Sequence, residues 1–151
     1  MQALVAVKAD VNKVNNNGAT PLIFAAQEGH FDVMQVLVAA KADVDKANNN
    51  GSTPLYIAAQ ENHFDVVQAL VTAKADVNKA NNKGSTPLYI AAQEGHFDVV
   101  QALVTAKADV NKARPDGSSP LSIANAAHNN FTSIVAYLKS AGAKYNTNRI
   151  Y

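Results

Sequence analysis

Three histidines, His30, His63 and His96, stand 33 residues apart, and two residues before each stands a glutamate, Glu28, Glu61 or Glu94. A row of histidines is a metal-ligand or proton-transfer pattern, and a row of carboxylates is what paired acid–base catalysis would use. Either chemistry depends on how closely successive copies are brought together. The rest of the chain repeats with the same period: Thr20-Pro21-Leu22, Thr53-Pro54-Leu55, Thr86-Pro87-Leu88 and Ser119-Pro120-Leu121 are successive copies of one signal. Residues 48–80 and 81–113 are the same 33-mer except at Asn50 against Lys83 and Asn62 against Gly95. Such a unit cannot bury its apolar face alone, so its copies stack. Stacking sets the histidines too far apart to share one metal, whose bonds are about 2 Å long. They read instead as loop residues that brace adjacent backbone, and His128 carries no motif.

Composition narrows the remaining chemistry. A formal net charge of +1 with 17% charged residues and no cluster of Lys and Arg argues against a nucleic-acid partner. The absence of cysteine removes disulfides, thiol catalysis and Cys-ligated zinc, and it suits a reducing compartment, the cytoplasm. No apolar run approaches the roughly 20 residues of a membrane span. There is no Gly-rich phosphate loop after a strand and no serine nucleophile elbow. The chain is therefore expected to be a non-enzyme with no metal and no cofactor.

Residues 48–80 show how one unit is built. Asn48-Asn49-Asn50-Gly51-Ser52 is turn chemistry, since Asn and Gly tolerate positive φ. Thr53 then predicts an N-cap, with Pro54 on the first helical position. A first helix is predicted over 54–61, with Leu55, Ile57, Ala58 and Ala59 inward; packing must hold so short a helix. Asn62, with Gly29 and Gly95 at its place, predicts a left-handed stop. A second helix follows over 64–72, with Phe64, Val67, Leu70 and Val71 at helical spacing and Asp65 in its first turn.

Gly51-Ser-Thr-Pro-Leu, Ala58-Ala59, Asn62-His63 and Ala75-Asp76-Val77-Asn78 resemble the ankyrin repeat, a turn plus two antiparallel helices. The resemblance implies one all-α domain over 1–151, a solenoid of stacked helix-turn-helix units joined by β-turn or hairpin tips. Its divisions are a partial repeat at 1–14, repeats at 15–47, 48–80 and 81–113, and a lengthened cap at 114–151. Two positions depart from the family. Ile23, Tyr56, Tyr89 and Ser122 replace the histidine that commonly follows Thr-Pro-Leu, and Lys8, Lys41, Lys74 and Lys107 replace the glycine before Ala-Asp-Val. A left-handed lysine costs on the order of 1 kcal/mol.

Both ends are irregular. Gln2-Ala3-Leu4-Val5 aligns with Gln101-Ala102-Leu103-Val104, so the chain is expected to begin inside a second helix, as a fragment of a longer array or a frayed terminus. Near the C-terminus Phe131 is aligned with Phe97 at 34 residues but Leu138 with Leu103 at 35, and Asn125, Asn129, Asn130, Thr132 and Ser133 bring the polarity of a cap.

Ankyrin arrays act mostly as protein-binding modules through a concave surface of turn tips and first helices. Carried onto this chain, that surface comprises Asn16, Asn17, Ala19, Gln27 and Glu28 in one repeat and Asn49, Asn50, Ser52, Gln60 and Glu61 in the next. Asn82, Lys83, Ser85, Gln93 and Glu94 continue it, and Pro115, Asp116 and Ser118 complete it. Tyr56 and Tyr89 serve either as aromatic anchors or as packing in place of the family's histidine. Selectivity is expected in Lys83, Arg114-Pro115-Asp116 and the last repeat. Equivalent positions in neighbouring ankyrin repeats lie on the order of 10 Å apart. Inverting glycosidases hold their carboxyls under about 10 Å apart and retaining ones about 5 Å, so the glutamates read as a solvated stripe.

Two further expectations follow from the resemblance. Asn12, Asn78 and Asn111, each eight residues after a leucine, match the pattern of substrates of an asparaginyl hydroxylase, against the alternative that they hydrogen-bond within their turns; Asp45 breaks the pattern. The partner is a protein, engaged by a monomer in the cytoplasm, or in a host cytosol if the chain is a delivered effector. Weak end-to-end association near Leu4, Val5 and Val7 is a third reading of the array. The competing function is a structural spacer or engineered scaffold with no partner. Near-identical repeats favour that reading, and lysine where a design would keep glycine opposes it.

Overall fold

The computed structural model describes residues 10–126 and 131–145. Lys8, the N-terminal segment with Leu4, Val5 and Val7, and His128, Asn129 and Asn130 lie outside the described residues. Among the described residues there are eight helices and no strand: α1 (Pro21–Glu28), α2 (Phe31–Ala39), α3 (Pro54–Gln60), α4 (Phe64–Thr72), α5 (Pro87–Glu94), α6 (Phe97–Thr105), α7 (Pro120–Ala124) and α8 (Thr132–Ser140).

The first helix of every unit starts in the same way. The hydroxyls of Thr20, Thr53, Thr86 and Ser119 accept the N–H of Ile23, Tyr56, Tyr89 and Ser122, each at 3.1 Å. Each satisfies one of the orphan donors of a helix start, and the proline that follows has no N–H to lose. In α7 the cap is reciprocal, because Ser119 N–H also donates to Ser122 Oγ at 2.8 Å. Left-handed residues stop these helices at Gly29, Asn62 and Gly95, with φ of 71°, 63° and 77°. The second helices end on Lys41, Lys74 and Lys107 at φ 72°, 71° and 74°, the left-handed lysines anticipated from sequence. The next N–H then turns back, as from Ala42 to Leu37 O at 3.0 Å.

Helices α1, α3, α5 and α7 stack in one layer and α2, α4, α6 and α8 in a second. The core runs along the array: Leu22, Leu55, Leu88 and Leu121 form one row, Leu37, Leu70, Leu103 and Leu138 another, all buried. Alanines 25, 26, 58, 59, 91 and 92 are fully buried between the layers, where their size lets backbones approach. The inward set differs from expectation at four places. Ile57 and Val71 are only partly buried and Phe64 is 42% exposed, whereas Val66, absent from the expected set, is fully buried. Phe64 opens its helix and lines the open groove between α2 and α4.

The last unit corrects the alignment. Phe131 precedes α8 as His96 precedes α6, so Phe131 replaces the histidine and not Phe97. A Cβ added at Gly29 would meet the ring of His63 at 2.8 Å, and one at Gly95 would meet the ring of Phe131 at 2.7 Å. Two of the three histidines brace backbone: His63 Nε2 lies 3.1 Å from Gln27 O, and His96 Nε2 lies 3.0 Å from Gln60 O. Phe131 keeps the ring contact and gives up the polar one.

Candidate functional site

Each tip is closed by its own first residue. The Oδ1 atoms of Asn15, Asn48 and Asn81 each accept two N–H groups of the turn, at 2.9 to 3.1 Å. Successive tips are joined through the middle asparagines. Asn49 N–H donates to Asn17 O at 3.0 Å and its Nδ2 to Asn16 O at 3.2 Å; Asn82 repeats this on Asn50 O and Asn49 O, at 3.0 Å each.

The fourth tip breaks both devices. Proline at 115 has neither a backbone N–H nor a side-chain amide, so it meets the third tip by contact: a Cβ at Gly84, whose φ is 81°, would stand 2.6 Å from Pro115 Cδ. Arg114 occupies the place of the turn-closing asparagine, and Asp116 Oδ1 takes the N–H of Ser118 at 2.9 Å instead. Released from its turn, the Arg114 side chain reaches back one repeat. Its guanidinium lies 5.3 Å from the centroid of the Tyr89 ring, and Nη1 donates to Tyr89 Oη at 3.3 Å. Its Nε is buried and has no hydrogen-bond partner among the described residues. The bond to Tyr89 holds the Arg114 pKa above its ordinary value.

Between the second and third tips lies a hollow of about 480 Å³. Tyr56 forms part of its wall, and Asn50, Gln60, Asn82, Lys83, Gln93 and Arg114 surround it. Burial raises the Tyr56 pKa, against the opposing effects of a hydrogen bond with Ser85 and the Arg114 charge. The corresponding hollow between the first two tips is smaller, about 260 Å³, and is lined by Asn15, Asn17, Ala19, Gln27 and Asn50 with no charged side chain.

The expected surface is thus divided by burial. Asn16, Asn17, Gln27, Glu28, Asn49, Asn50, Glu61, Asn82, Lys83, Glu94, Pro115 and Asp116 are exposed, and Ala19, Gln60, Gln93 and Ser118 are half-buried. Ser52 and Ser85 are buried at 5% and 4% exposure, and Tyr56 and Tyr89 at 6% and 1%. The two serines close tips through backbone bonds, and the tyrosines are packed below the surface, Tyr89 against Arg114, so these four lie beneath it. Asn48, Asn81, Ile57 and Ile90 line the larger hollow as well, outside the expected set, and so does Arg114, expected for selectivity but not placed on the surface itself. For Arg114 a signal existed, since it interrupts the series Asn15, Asn48, Asn81.

The asparagines at 12, 78 and 111 do not bond within their turns through their amides. Asn12 Oδ1 accepts Asp43 N–H at 2.9 Å, Asn78 Oδ1 accepts Asp109 N–H at 2.8 Å, and Asn111 Oδ1 accepts Lys144 N–H at 2.8 Å. Asp45 does the same for Asp76 N–H at 2.9 Å. Among the described residues no group of three His, Cys, Asp or Glu is placed to hold a metal ion, and no helix is long and apolar enough to cross a membrane. A family model for ankyrin repeats (3 copies) matches residues 1–81 and again residues 73–149. No curated protein matches the chain.

Proposed function

The chain belongs to the ankyrin-repeat family, whose members are generally non-enzymatic protein–protein interaction modules, and we propose that it binds a protein partner on the face of its tips and first helices. One observation carries this reading. The tips and the exposed ends of the first helices enclose two hollows, and the larger is where the repeat-to-repeat uniformity breaks, at Lys83 and Arg114. A surface built only to hold the array together has no need of that break. With no cysteine to protect, the chain suits a partner in a reducing compartment such as the cytoplasm.

A spacer with no partner is the second reading, and the tip amides favour it. Asn49 and Asn82 spend their side-chain donors on the neighbouring tip, leaving less for a ligand. Weak end-to-end self-association near Leu4, Val5 and Val7 is a further proposal, supported by the exposure of the apolar Val14 and Phe24 toward that side, at 44% and 59%. Hydroxylation of Asn12, Asn78 or Asn111 is proposed only for a locally opened chain, since each amide is engaged by the next repeat.

Photocrosslinking separates the first two readings. A photoreactive residue at Gln60 on the concave side and, in a second variant, at Gln68 on α4 is exposed to lysate. A discrete adduct from position 60 alone supports the recognition face. Equal adducts from both positions, or none from position 60, move the chain to the spacer reading.

A further inference from the structure

We propose that the hollow between the second and third tips takes a carboxylate, the side chain of an aspartate or glutamate on an acidic peptide, held between Lys83 and Arg114. The inference rests on the concave-face reading and specifies its partner. Among the described residues the lining of this hollow contains two cationic side chains and no carboxylate, Asp116 acting on the Arg114 charge from outside the lining, whereas the equivalent hollow one repeat earlier contains no cation. Asn50 and Lys83 hold the same place in their tips, as do Asn81 and Arg114, so both cations come from departures at repeat positions. Elsewhere the two central repeats differ only at Asn62 and Gly95.

The state of the arginine adds direction. An asparagine at position 114 would be consumed by its own turn, as at Asn48 and Asn81. Arg114 instead projects over Tyr89, uses one N–H on the tyrosine hydroxyl and leaves Nε–H without an acceptor among the described residues. An ionised donor left unpaired in a buried position is unfavourable, and a carboxylate is the acceptor whose two oxygens fit the edge of a guanidinium. Presenting Nε to the ligand requires the guanidinium to turn on its flexible stem. The bond it would loosen, 3.3 Å to Tyr89 Oη, is already long. Gln60 and Gln93, half-buried on the same wall, offer amide donors to the rest of an extended peptide.

The test is a nuclear magnetic resonance titration of the full isotope-labelled chain with capped hexaglutamate, with capped hexaglutamine and with inorganic phosphate. Arg114→Gln assigns the Arg114 Nε–H signal. Hexaglutamate is expected to shift that signal and the amides of Lys83 and Ser85 saturably, and hexaglutamine is not. Affinity should fall at least fivefold in Lys83→Asn, which restores the residue found at Asn50 on an exposed position and so leaves the fold intact. Unchanged affinity in that variant overturns the proposal. So does phosphate shifting Arg114 while hexaglutamate is silent. Equal shifts from hexaglutamine remove the carboxylate and keep the concave face; shifts confined to α2 and α4 remove both. No shift at millimolar peptide removes the carboxylate assignment, and the crosslinking result then decides the face alone.

Discussion

Asn78 Oδ1 accepts the backbone N–H of Asp109 at 2.8 Å, a bond from one repeat to the next made by a side chain that elsewhere would close its own turn. Asn12, Asp45 and Asn111 make the equivalent bond, so the loops after the second helices are tied in series. Because a repeat array is stabilised by nearest-neighbour interfaces, deleting one tie should loosen the whole. Asn78→Ala is expected to lose about 1 kcal/mol in urea unfolding, the net worth of one such bond. An unchanged midpoint and slope would show that the tie is replaced by water without loss.

Lys74 sits in the left-handed region at φ 71°, where a side chain is disfavoured by about 1–2 kcal/mol relative to glycine. Glycine also loses more freedom on folding, about 0.4–1 kcal/mol. The first effect exceeds the second. Lys74→Gly should therefore raise stability by roughly 0.5–1 kcal/mol, measured as a higher urea midpoint, and Lys74→Ala should not.

These two features mark what the sequence discloses and what it withholds. The Thr-Pro starts and the Gly or Asn stops are local: they set the start of α3 at Pro54 and its end to within one residue, Gln60 in place of 61, and the apolar spacing after the stop bounded α4 at Phe64 and Thr72. Burial on a two-layer stack is less local: Val66 stands four residues before Leu70 and Phe64 three before Val67, so both fit a helical period, and only the neighbouring layer decides that one is buried and the other open. Phe131 was misaligned because identical residue types, Phe97 and Phe131, lie one position off the true register. Arg114 was legible as an irregularity but not as a reach toward Tyr89, since a 33-residue period says nothing of a contact made across it.

Tyr89 is 1% exposed and is packed beneath Arg114, so its removal is a structural lesion before it is a binding one. Tyr89→Ala should cost about 3–5 kcal/mol, the range for deleting a large buried ring. Tyr89→Phe keeps the ring and loses only the hydroxyl that holds Arg114, at about 1 kcal/mol. The pair of values, from chemical unfolding, distinguishes packing from surface display. Nearly equal small losses would place the tyrosine on the binding surface after all.

Tyr56 gives the array a dependence on alkaline pH. Burial raises its pKa in the folded state above the ordinary value, and the hydrogen bond with Ser85 and the Arg114 charge offset only part of this. The folded chain therefore holds the phenolic proton more tightly than the unfolded chain does. The stabilisation linked to this proton is fully present below about pH 10, the unfolded value, and is lost as pH rises through the raised folded value. Urea unfolding between pH 8 and 11.5 should show stability falling more steeply in the unmodified chain than in Tyr56→Phe, which has no proton to lose. The other tyrosines and the lysines titrate in both, so the difference between the two curves isolates Tyr56. Parallel curves would mean that the phenol reaches water when the hollow opens, and that the wall it forms beside Lys83 and Arg114 is not closed in solution.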